Sequence, residues 1–142
     1  MNLDFASVWE TIADIVPEND ALICGDEVVS WKDYDLNSSK IATALLNAGL
    51  SANSKAGLYL NNSNEYLIAQ NAIFKIGGVP INVNYRYMAE ELIYLLDNSD
   101  SEAVFYHACY SGRIKEIANS LPNIKAWIEI PDGTKSEFHD SL

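Results

Sequence analysis

Residues 55–83 read KAGLYLNNSNEYLIAQNAIFKIGGVPINV, and this stretch decides the fold. The apolar run over 55–60 predicts a strand. Apolar residues at helical spacing over 64–76 predict a helix, and Gly77 suits the left-handed position that closes it. A second apolar run over 79–83 predicts another strand. A strand, a helix and a strand in succession predict a βαβ unit, in which the two strands are parallel.

The same alternation continues on the C-terminal side of this stretch. Segments 89–97 and 111–121 predict helices, and segments 102–106 and 125–130 predict strands. The strands are apolar on both sides, as parallel strands are when helices cover both faces of a sheet. We therefore predict an α/β fold with a three-layer, mostly parallel sheet flanked by helices.

The N-terminal side adds a helix and a β-hairpin. Asp4 is the predicted N-cap of the first helix, and Pro17 ends it. Segments 21–24 and 27–30 predict an N-terminal β-hairpin that turns at Gly25-Asp26.

A long helix follows the hairpin. Ser30 is its predicted N-cap, and Gly49 is its predicted left-handed end. Its predicted inner face consists of Tyr34, Ser38, Ile41, Ala42, Leu45 and Leu46, while Tyr59, Tyr94 and Tyr106 are predicted core or half-buried residues elsewhere.

The chain is predicted to form one subdomain with a polar end. Residues 1–130 contain every predicted element and form one α/β subdomain. Residues 131–142 are too polar to be expected to hold a fixed shape. We interpret them as a polar tail or as the start of a link to further chain.

Composition limits the functions open to this chain. Nine Lys and Arg oppose twenty Asp and Glu, which gives a formal net charge of -11. Such a surface repels phosphate backbones, so nucleic-acid binding is not expected. No apolar stretch is long enough for a transmembrane segment, and the N-terminus does not resemble a secretory signal. Cys24 and Cys109 belong to no metal or redox motif, which favours a reduced, cytoplasmic compartment.

Motifs with self-sufficient chemistry are missing from the sequence. It contains no GxxxxGKS/T loop, no GxGxxG after a strand, no GxSxG elbow and no HExxH. We therefore predict no catalytic residue and no metal ligand. His107 and segment 61–64 follow predicted strands, at the sheet edge where α/β proteins bind ligands. The simpler interpretation is structural for both, namely an isolated histidine and a turn with an N-cap.

Several segments in order resemble the adenylate-forming superfamily, which includes acyl-CoA synthetases, aryl-CoA ligases, luciferases and peptide-synthetase adenylation domains. Residues 21–50, ALICGDEVVSWKDYDLNSSKIATALLNAGL, resemble the family's opening hairpin and the helix that follows it. Residues 56–106 resemble the next block of the family. The matching positions there are Asn62-Ser63, Lys75-Ile76-Gly77, Val79-Pro80, Asn84, Arg86 and Glu91-Leu92.

The resemblance implies the N-terminal subdomain of an ATP-dependent, AMP-forming carboxylic acid:CoA ligase for a fatty or aryl acid. In that family a carboxylate attacks the α-phosphate of ATP, and the CoA thiol then displaces AMP. The family's Gly/Ser/Thr-rich phosphate loop, its magnesium-linked Glu and its C-terminal Lys have no counterpart in these residues. The implied cofactors, ATP, Mg2+ and CoA, therefore belong to a longer parent, and this piece alone is expected to bind none firmly and to be inactive.

The resemblance also implies partners for this chain. They are the remainder of the parent enzyme, and in that parent the carboxylic acid substrate and CoA. A lobe cut from a larger fold exposes apolar surface, so we also expect self-association.

One CoA contact is expected within the chain. In some CoA ligases a Gly-Arg pair at a similar place faces the phosphates of the CoA nucleotide, and the resemblance carries this role to Arg113. An arginine binds phosphate oxygens in a bidentate manner, and Lys115 is close enough in sequence to assist. The alternative is a surface arginine paired with Glu116 or with solvent.

Two other functions stay open. One is a stand-alone, non-enzymatic α/β binding module derived from the same fold. The other is a flavodoxin-like regulatory domain, which only the alternation of strands and helices suggests. The regulatory domain requires a carboxylate cluster or a phosphate loop at the strand ends, and neither is evident in the sequence.

Overall fold

The computed structural model describes residues 3–139 of the chain. The elements within this range follow one another in the predicted order. They are α1 (Phe5–Ile15), β1 (Asp20–Cys24), β2 (Glu27–Ser30), α2 (Trp31–Asn47), β3 (Lys55–Tyr59), α3 (Asn64–Lys75), β4 (Val79–Asn82), α4 (Ala89–Asn98), β5 (Ser101–His107), α5 (Ser111–Ile117) and β6 (Ala126–Ile130), with short 3-10 turns at Ala108–Tyr110 and Ala118–Ser120.

The main sheet has four strands in the order β4-β3-β5-β6, and all neighbours are parallel. This confirms the predicted parallel sheet. β1 and β2 form a separate antiparallel hairpin, as predicted. Within the plane of the sheet, β4 lies next to β3 on one flank, and the chain then returns to place β5 on the other flank of β3. The loops after β3 and β5 therefore diverge, which is the arrangement that opens a crevice in α/β sheets.

Alternating side chains of the sheet fill two separate cores. Ala56, Leu58 and Phe105 pack on one face with buried residues of α2 and α3. Tyr59 and Val104 pack on the other face with buried residues of α4 and α5. Helices thus cover both faces, which confirms the three-layer α/β architecture.

The helix ends follow the predicted local chemistry. The Asp4 carboxylate accepts a hydrogen bond from the Ser7 N–H at 2.7 Å, and the Ser30 hydroxyl accepts one from the Asp33 N–H at 3.1 Å. Gly49 has a φ of 98°, and the next residue, Leu50, donates its N–H back into the last turn of α2. These groups satisfy backbone atoms that a helix end leaves unpaired.

Two predicted core residues are exposed instead. Leu46 is 53% exposed and Tyr94 is 71% exposed. In α2 the buried residue is Leu45, and its neighbour Leu46 is rotated off the inner face. In α4 the buried residues include Leu92, and Tyr94 lies two positions further, close to the opposite side of the helix. The prediction for both residues was therefore wrong, because it took apolar character as evidence of burial.

The C-terminal segments differ from expectation in two ways. The predicted helix over 111–121 is shorter, because α5 ends at Ile117 and continues only as a 3-10 turn. Residues 131–139 were expected to hold no fixed shape, but Phe138 packs edge-on against Tyr106 and Trp127 at centroid distances of 6.4 and 6.2 Å. One aromatic anchor outweighs the polar composition around it. Residues 140–142 lie outside the described range, and the division at residue 130 stays a prediction.

Within residues 3–139, every helix is too short or too polar to span a bilayer.

Candidate functional site

Three loops meet at the carboxyl end of the parallel sheet. They are residues 60–63 after β3, residues 83–88 after β4, and residues 107–113, which run from the last residue of β5 into the first turn of α5. We call them together the carboxyl edge. The edge lies where the chain reverses its direction of travel across the sheet, between β3 and β5. Ligands of open α/β sheets bind at this kind of position.

Hydrogen bonds join the β3 and β5 loops directly. The Asn61 backbone N–H donates to Nδ1 of His107 at 3.1 Å. The Tyr110 hydroxyl donates to Oδ1 of Asn61 at 2.6 Å. The ring of Tyr110 also lies 4.7 Å from the ring of Tyr59, centroid to centroid. Asn61 and His107, two separate candidates in the sequence, therefore form one connected group.

The protonation state of His107 follows from this geometry. The imidazole is buried, and its burial lowers its pKa, although the carboxylates of Asp132 and Glu65 act in the opposite direction. A neutral imidazole whose Nδ1 accepts a hydrogen bond carries its proton on Nε2. His107 is thus held as a neutral group in one tautomer, which favours a structural or hydrogen-bonding role.

Cys109 is not activated as a nucleophile. Burial, together with the neighbouring Asp132 carboxylate, raises the pKa of the Cys109 thiol to about 11. The Asp132 carboxylate itself accepts hydrogen bonds from the backbone N–H groups of Cys109 and Thr134, both at 2.9 Å. These bonds outweigh the effect of burial and hold the pKa of Asp132 well below its usual range. At neutral pH the pair is therefore a thiol beside a carboxylate, and a thiolate nucleophile is not available.

Arg113 reaches across the edge to the β4 loop. Its Nη1 donates to the Tyr87 carbonyl at 2.9 Å and to the Met88 sulfur at 3.1 Å. Its Nε lies 3.6 Å from the Glu116 carboxylate, which is the pairing that the alternative interpretation expected. Among residues 3–139, no acceptor for a hydrogen bond from Nη2 is found.

The second arginine of the chain lies in the same loop region. Arg86 is exposed, and its guanidinium carbon lies 5.6 Å from the centroid of the neighbouring Tyr85 ring. The chain contains no arginine other than Arg86 and Arg113, and its net charge is -11. Both arginines thus lie at one edge of an acidic molecule, Arg86 in the β4 loop and Arg113 in the first turn of α5, where they favour an anionic ligand.

The remaining residues that the sequence marked as candidates make mainly structural contacts. Ser63 caps α3 by accepting the Tyr66 N–H, and the Asn64 side chain donates to the Glu27 carbonyl in the hairpin at 3.4 Å. Asn62 lines a cleft beside the hairpin tip. Lys115 is exposed, and its side chain has no hydrogen-bond or ion-pair partner among residues 3–139. Within segment 61–64, Asn61 bonds directly to His107, and Ser63 joins the same group because its hydroxyl donates to the Asn61 carbonyl at 3.2 Å.

Sequence reasoning missed the tyrosines of the edge. Tyr59 was predicted as a core residue, which is correct for its ring, but its hydroxyl donates to the Tyr87 carbonyl at 3.1 Å. Tyr87 and Tyr110 carried no signal, because tyrosine is common in turns and cores alike. Only the position of Tyr110 after β5 could have indicated it.

The described residues of the carboxyl edge form no metal-binding cluster. Within the described residues, no three His, Cys, Asp or Glu side chains lie close enough together to hold a metal ion. No glycine-rich phosphate loop is present in the sequence. We therefore assign no Mg2+ site to the described residues of this chain.

Comparison with known proteins gives the family. The family model described as "AMP-binding enzyme" matches residues 9–140. The medium/long-chain-fatty-acid--CoA/3-oxocholest-4-en-26-oate--CoA ligase of Mycobacterium marinum is 36% identical over 136 residues, which cover 96% of this chain and 25% of that protein. The 3-oxocholest-4-en-26-oate--CoA ligase of Rhodococcus rhodochrous is 35% identical over 138 residues, which cover 97% of this chain and 25% of that protein.

Solved structures agree with this fold. A benzoate CoA ligase from Burkholderia xenovorans LB400 superposes with a TM-score of 0.83 at 16% identity, covering 98% of this chain and 28% of that chain. The chain spans about a quarter of the length of the curated relatives that it matches. Because the family model covers nearly the whole sequence, the chain belongs to the AMP-binding enzyme family.

Proposed function

We propose that this chain is the N-terminal part of an ATP-dependent, AMP-forming carboxylic acid:CoA ligase. The observation that carries the proposal is the family match over residues 9–140, in a chain that covers about a quarter of the length of its relatives. The relatives are named for medium- and long-chain fatty acids and for a steroid carboxylate. We therefore favour an acid with a large apolar body as the substrate of the parent. The compartment that we propose for the parent is the cytoplasm, on the basis of this chain's two unpaired cysteines.

The proposed reaction has two steps. A carboxylate oxygen attacks the α-phosphorus of ATP, and pyrophosphate leaves. The sulfur of CoA then attacks the acyl carbon of the adenylate, the thiol proton is lost, and AMP leaves. In this proposal the remainder of the parent supplies the groups that hold ATP and Mg2+, and the present chain supplies scaffold and one binding wall.

The carboxyl edge is the part of the chain that we assign to CoA. Its two arginines offer planar donors for phosphate oxygens, and Nη2 of Arg113 has no partner among the described residues. Arg113 as a CoA phosphate contact stays a prediction of the resemblance. The position of Arg86 in the adjoining loop supports an anion at the same edge.

The assay that tests the function compares this chain with the full-length ligase. We expect the 142-residue chain to release no pyrophosphate in a manner that depends on a carboxylic acid. The full-length protein should release it with ATP, Mg2+ and a fatty acid. Acid-dependent pyrophosphate release by the chain alone would contradict the proposal, and no release by the full-length protein would favour the non-enzymatic binding module.

The Arg113 prediction needs the same full-length enzyme. Arg113→Ala should raise the KM for CoA roughly tenfold, because a charge-assisted hydrogen bond to phosphate is lost. The rate of adenylate formation, measured as pyrophosphate exchange without CoA, should stay nearly constant. Lys40→Ala, at an exposed lysine of α2 that lies outside the carboxyl edge, is the control and should change neither value. An unchanged KM for CoA in Arg113→Ala would contradict the CoA contact and leave Arg113 with its structural contacts only.

Self-association of the chain is a further part of the proposal. Phe5 and Val8 on α1 and Ile23 and Val28 on the hairpin are large apolar side chains that are at least 40% exposed. Such surfaces favour association, whereas the net charge of -11 opposes aggregation.

A further inference from the structure

The β4–α4 loop is shaped by its own hydrogen bonds. The Tyr87 N–H donates to the Asn84 carbonyl at 3.0 Å, which closes a four-residue turn. The Arg86 N–H donates to the Asn84 side-chain oxygen at 2.9 Å. Arg86 therefore lies at the tip of a tight turn, and its direction depends on how the turn is held against the sheet.

The carbonyl of the last residue of this turn, Tyr87, fixes the turn to the rest of the fold. The Tyr87 oxygen accepts a hydrogen bond from the Tyr59 hydroxyl at 3.1 Å and a second from Nη1 of Arg113 at 2.9 Å. One donor comes from the central strand β3, and the other comes from α5. A single acceptor thus joins the turn that carries Arg86 to the helix that carries Arg113.

Among the described residues, the Tyr59 hydroxyl makes no hydrogen bond other than the one to the Tyr87 carbonyl. The ring is 1% exposed and lies in the core with Val104 and Leu92, so a phenylalanine would fill the same space. Burial raises the pKa of Tyr59 despite the nearby positive charge of Arg113, so the hydroxyl keeps its proton and donates. The bond to Tyr87 is therefore what distinguishes tyrosine from phenylalanine at this position.

We propose that Tyr59 is a positioning residue whose hydroxyl, through the Tyr87 carbonyl, holds Arg86 and Arg113 in the geometry that receives the CoA phosphates. The proposal rests on the proposed function of the carboxyl edge. Tyr59 acts without touching CoA, because it is only 1% exposed. Its loss should loosen the loop and leave the core intact.

The first measurement uses the 142-residue chain and does not depend on enzymatic activity. In Tyr59→Phe, amide hydrogen exchange over residues 84–88 should become about three- to tenfold faster, which matches the loss of one neutral hydrogen bond. The matched control is Tyr34→Phe. Tyr34 is also a buried tyrosine whose hydroxyl donates to a backbone carbonyl, that of Leu67 at 3.3 Å, but on the other side of the sheet.

The second measurement uses the full-length ligase. Tyr59→Phe should raise the KM for CoA about three- to tenfold, with the rate of adenylate formation unchanged, while Tyr34→Phe should leave both values unchanged. Unaltered exchange over residues 84–88 would overturn the positioning role, whether or not the protein is a ligase. Faster exchange with an unchanged KM for CoA would overturn the link to CoA. A full-length protein without CoA-dependent turnover would reject the proposed function, and the exchange result would then still decide the contact itself.

Discussion

Replacing Lys75 by Met should lower the free energy of unfolding of the chain by about 2–3 kcal/mol. The Lys75 ammonium contacts the carboxylates of Glu10 and Asp35, both at 2.6 Å, and its side chain is only 7% exposed. The three residues belong to α1, α2 and α3. The variant keeps most of the aliphatic stem but leaves two carboxylates without their cation. Because both carboxylates are partly exposed, water solvates them, and the cost stays below the 3–5 kcal/mol known for fully buried pairs.

Urea unfolding followed by circular dichroism measures this effect. Lys125→Met is the matched control, because Lys125 also contacts a carboxylate, that of Glu102, at 2.6 Å but is 45% exposed. It should cost about 0–1 kcal/mol. If both variants lost the same free energy of unfolding, burial of the Lys75 side chain would not explain the effect.

The effect of Lys75 should also depend on pH. Burial lowers the pKa of Lys75, but hydrogen bonds and negative charges of Asp35 and Glu10 outweigh it, so the pKa is raised overall. A raised pKa means that the charge contribution is fully present below the unfolded pKa of about 10.4. It is lost as the pH rises through the folded-state pKa. The difference between wild type and Lys75→Met should therefore be constant from neutral pH to about 10 and should shrink at higher pH.

Replacing Gly78 by Ala should lower the free energy of unfolding by about 3 kcal/mol, at the upper end of the range for overpacking. A Cβ at this position would lie 2.9 Å from the Ser54 carbonyl oxygen and 3.1 Å from the Ile73 carbonyl oxygen. Both oxygens are backbone atoms, and they accept hydrogen bonds from Val79 and Gly78 at 2.8 and 2.9 Å. The backbone must therefore move at the end of α3 and at the start of β4.

Gly112→Ala is the matched control for this prediction. A Cβ at Gly112 would lie 3.0 Å from the Glu137 carboxylate, which is the far end of a flexible side chain and can rotate away. We expect a cost below about 1 kcal/mol, again from urea unfolding. A loss at Gly78 no larger than the loss at Gly112 would show that the backbone around residue 78 adapts easily.

These two expectations give the Lys75-Ile76-Gly77-Gly78 segment a physical meaning. The sequence presented Lys75 and Gly77 as matches to a family pattern, and it predicted a helix-ending role for Gly77 but no role for Lys75. Gly77 has a φ of 73°, which is the left-handed position that was predicted from its place after the helix. The role of Lys75 was not predictable, because its two partners lie 40 and 65 residues away in sequence.

The candidate site divides in the same way. The sequence placed Asn61, His107 and Arg113 at the ends of strands, and parallel strands bring those ends to one edge. The sequence did not indicate that Arg113 donates to the Tyr87 carbonyl or that Tyr59 shares this acceptor. A hydroxyl bond to a backbone carbonyl leaves no pattern in the sequence, since any residue can supply the carbonyl.

The sequence by itself determined the order of strands and helices, the parallel sheet and the helix caps at Asp4, Ser30 and Gly49. These features depend on hydrophobic periodicity and on backbone groups a few residues apart, so local sequence contains them. Only the tertiary structure decided that Tyr94 is exposed, that Phe138 anchors the polar C-terminal segment, and that Tyr59 and Arg113 share the Tyr87 carbonyl. Those outcomes depend on which surfaces meet across the sheet. Contacts between segments far apart in sequence set that geometry, and periodicity along one segment does not encode it.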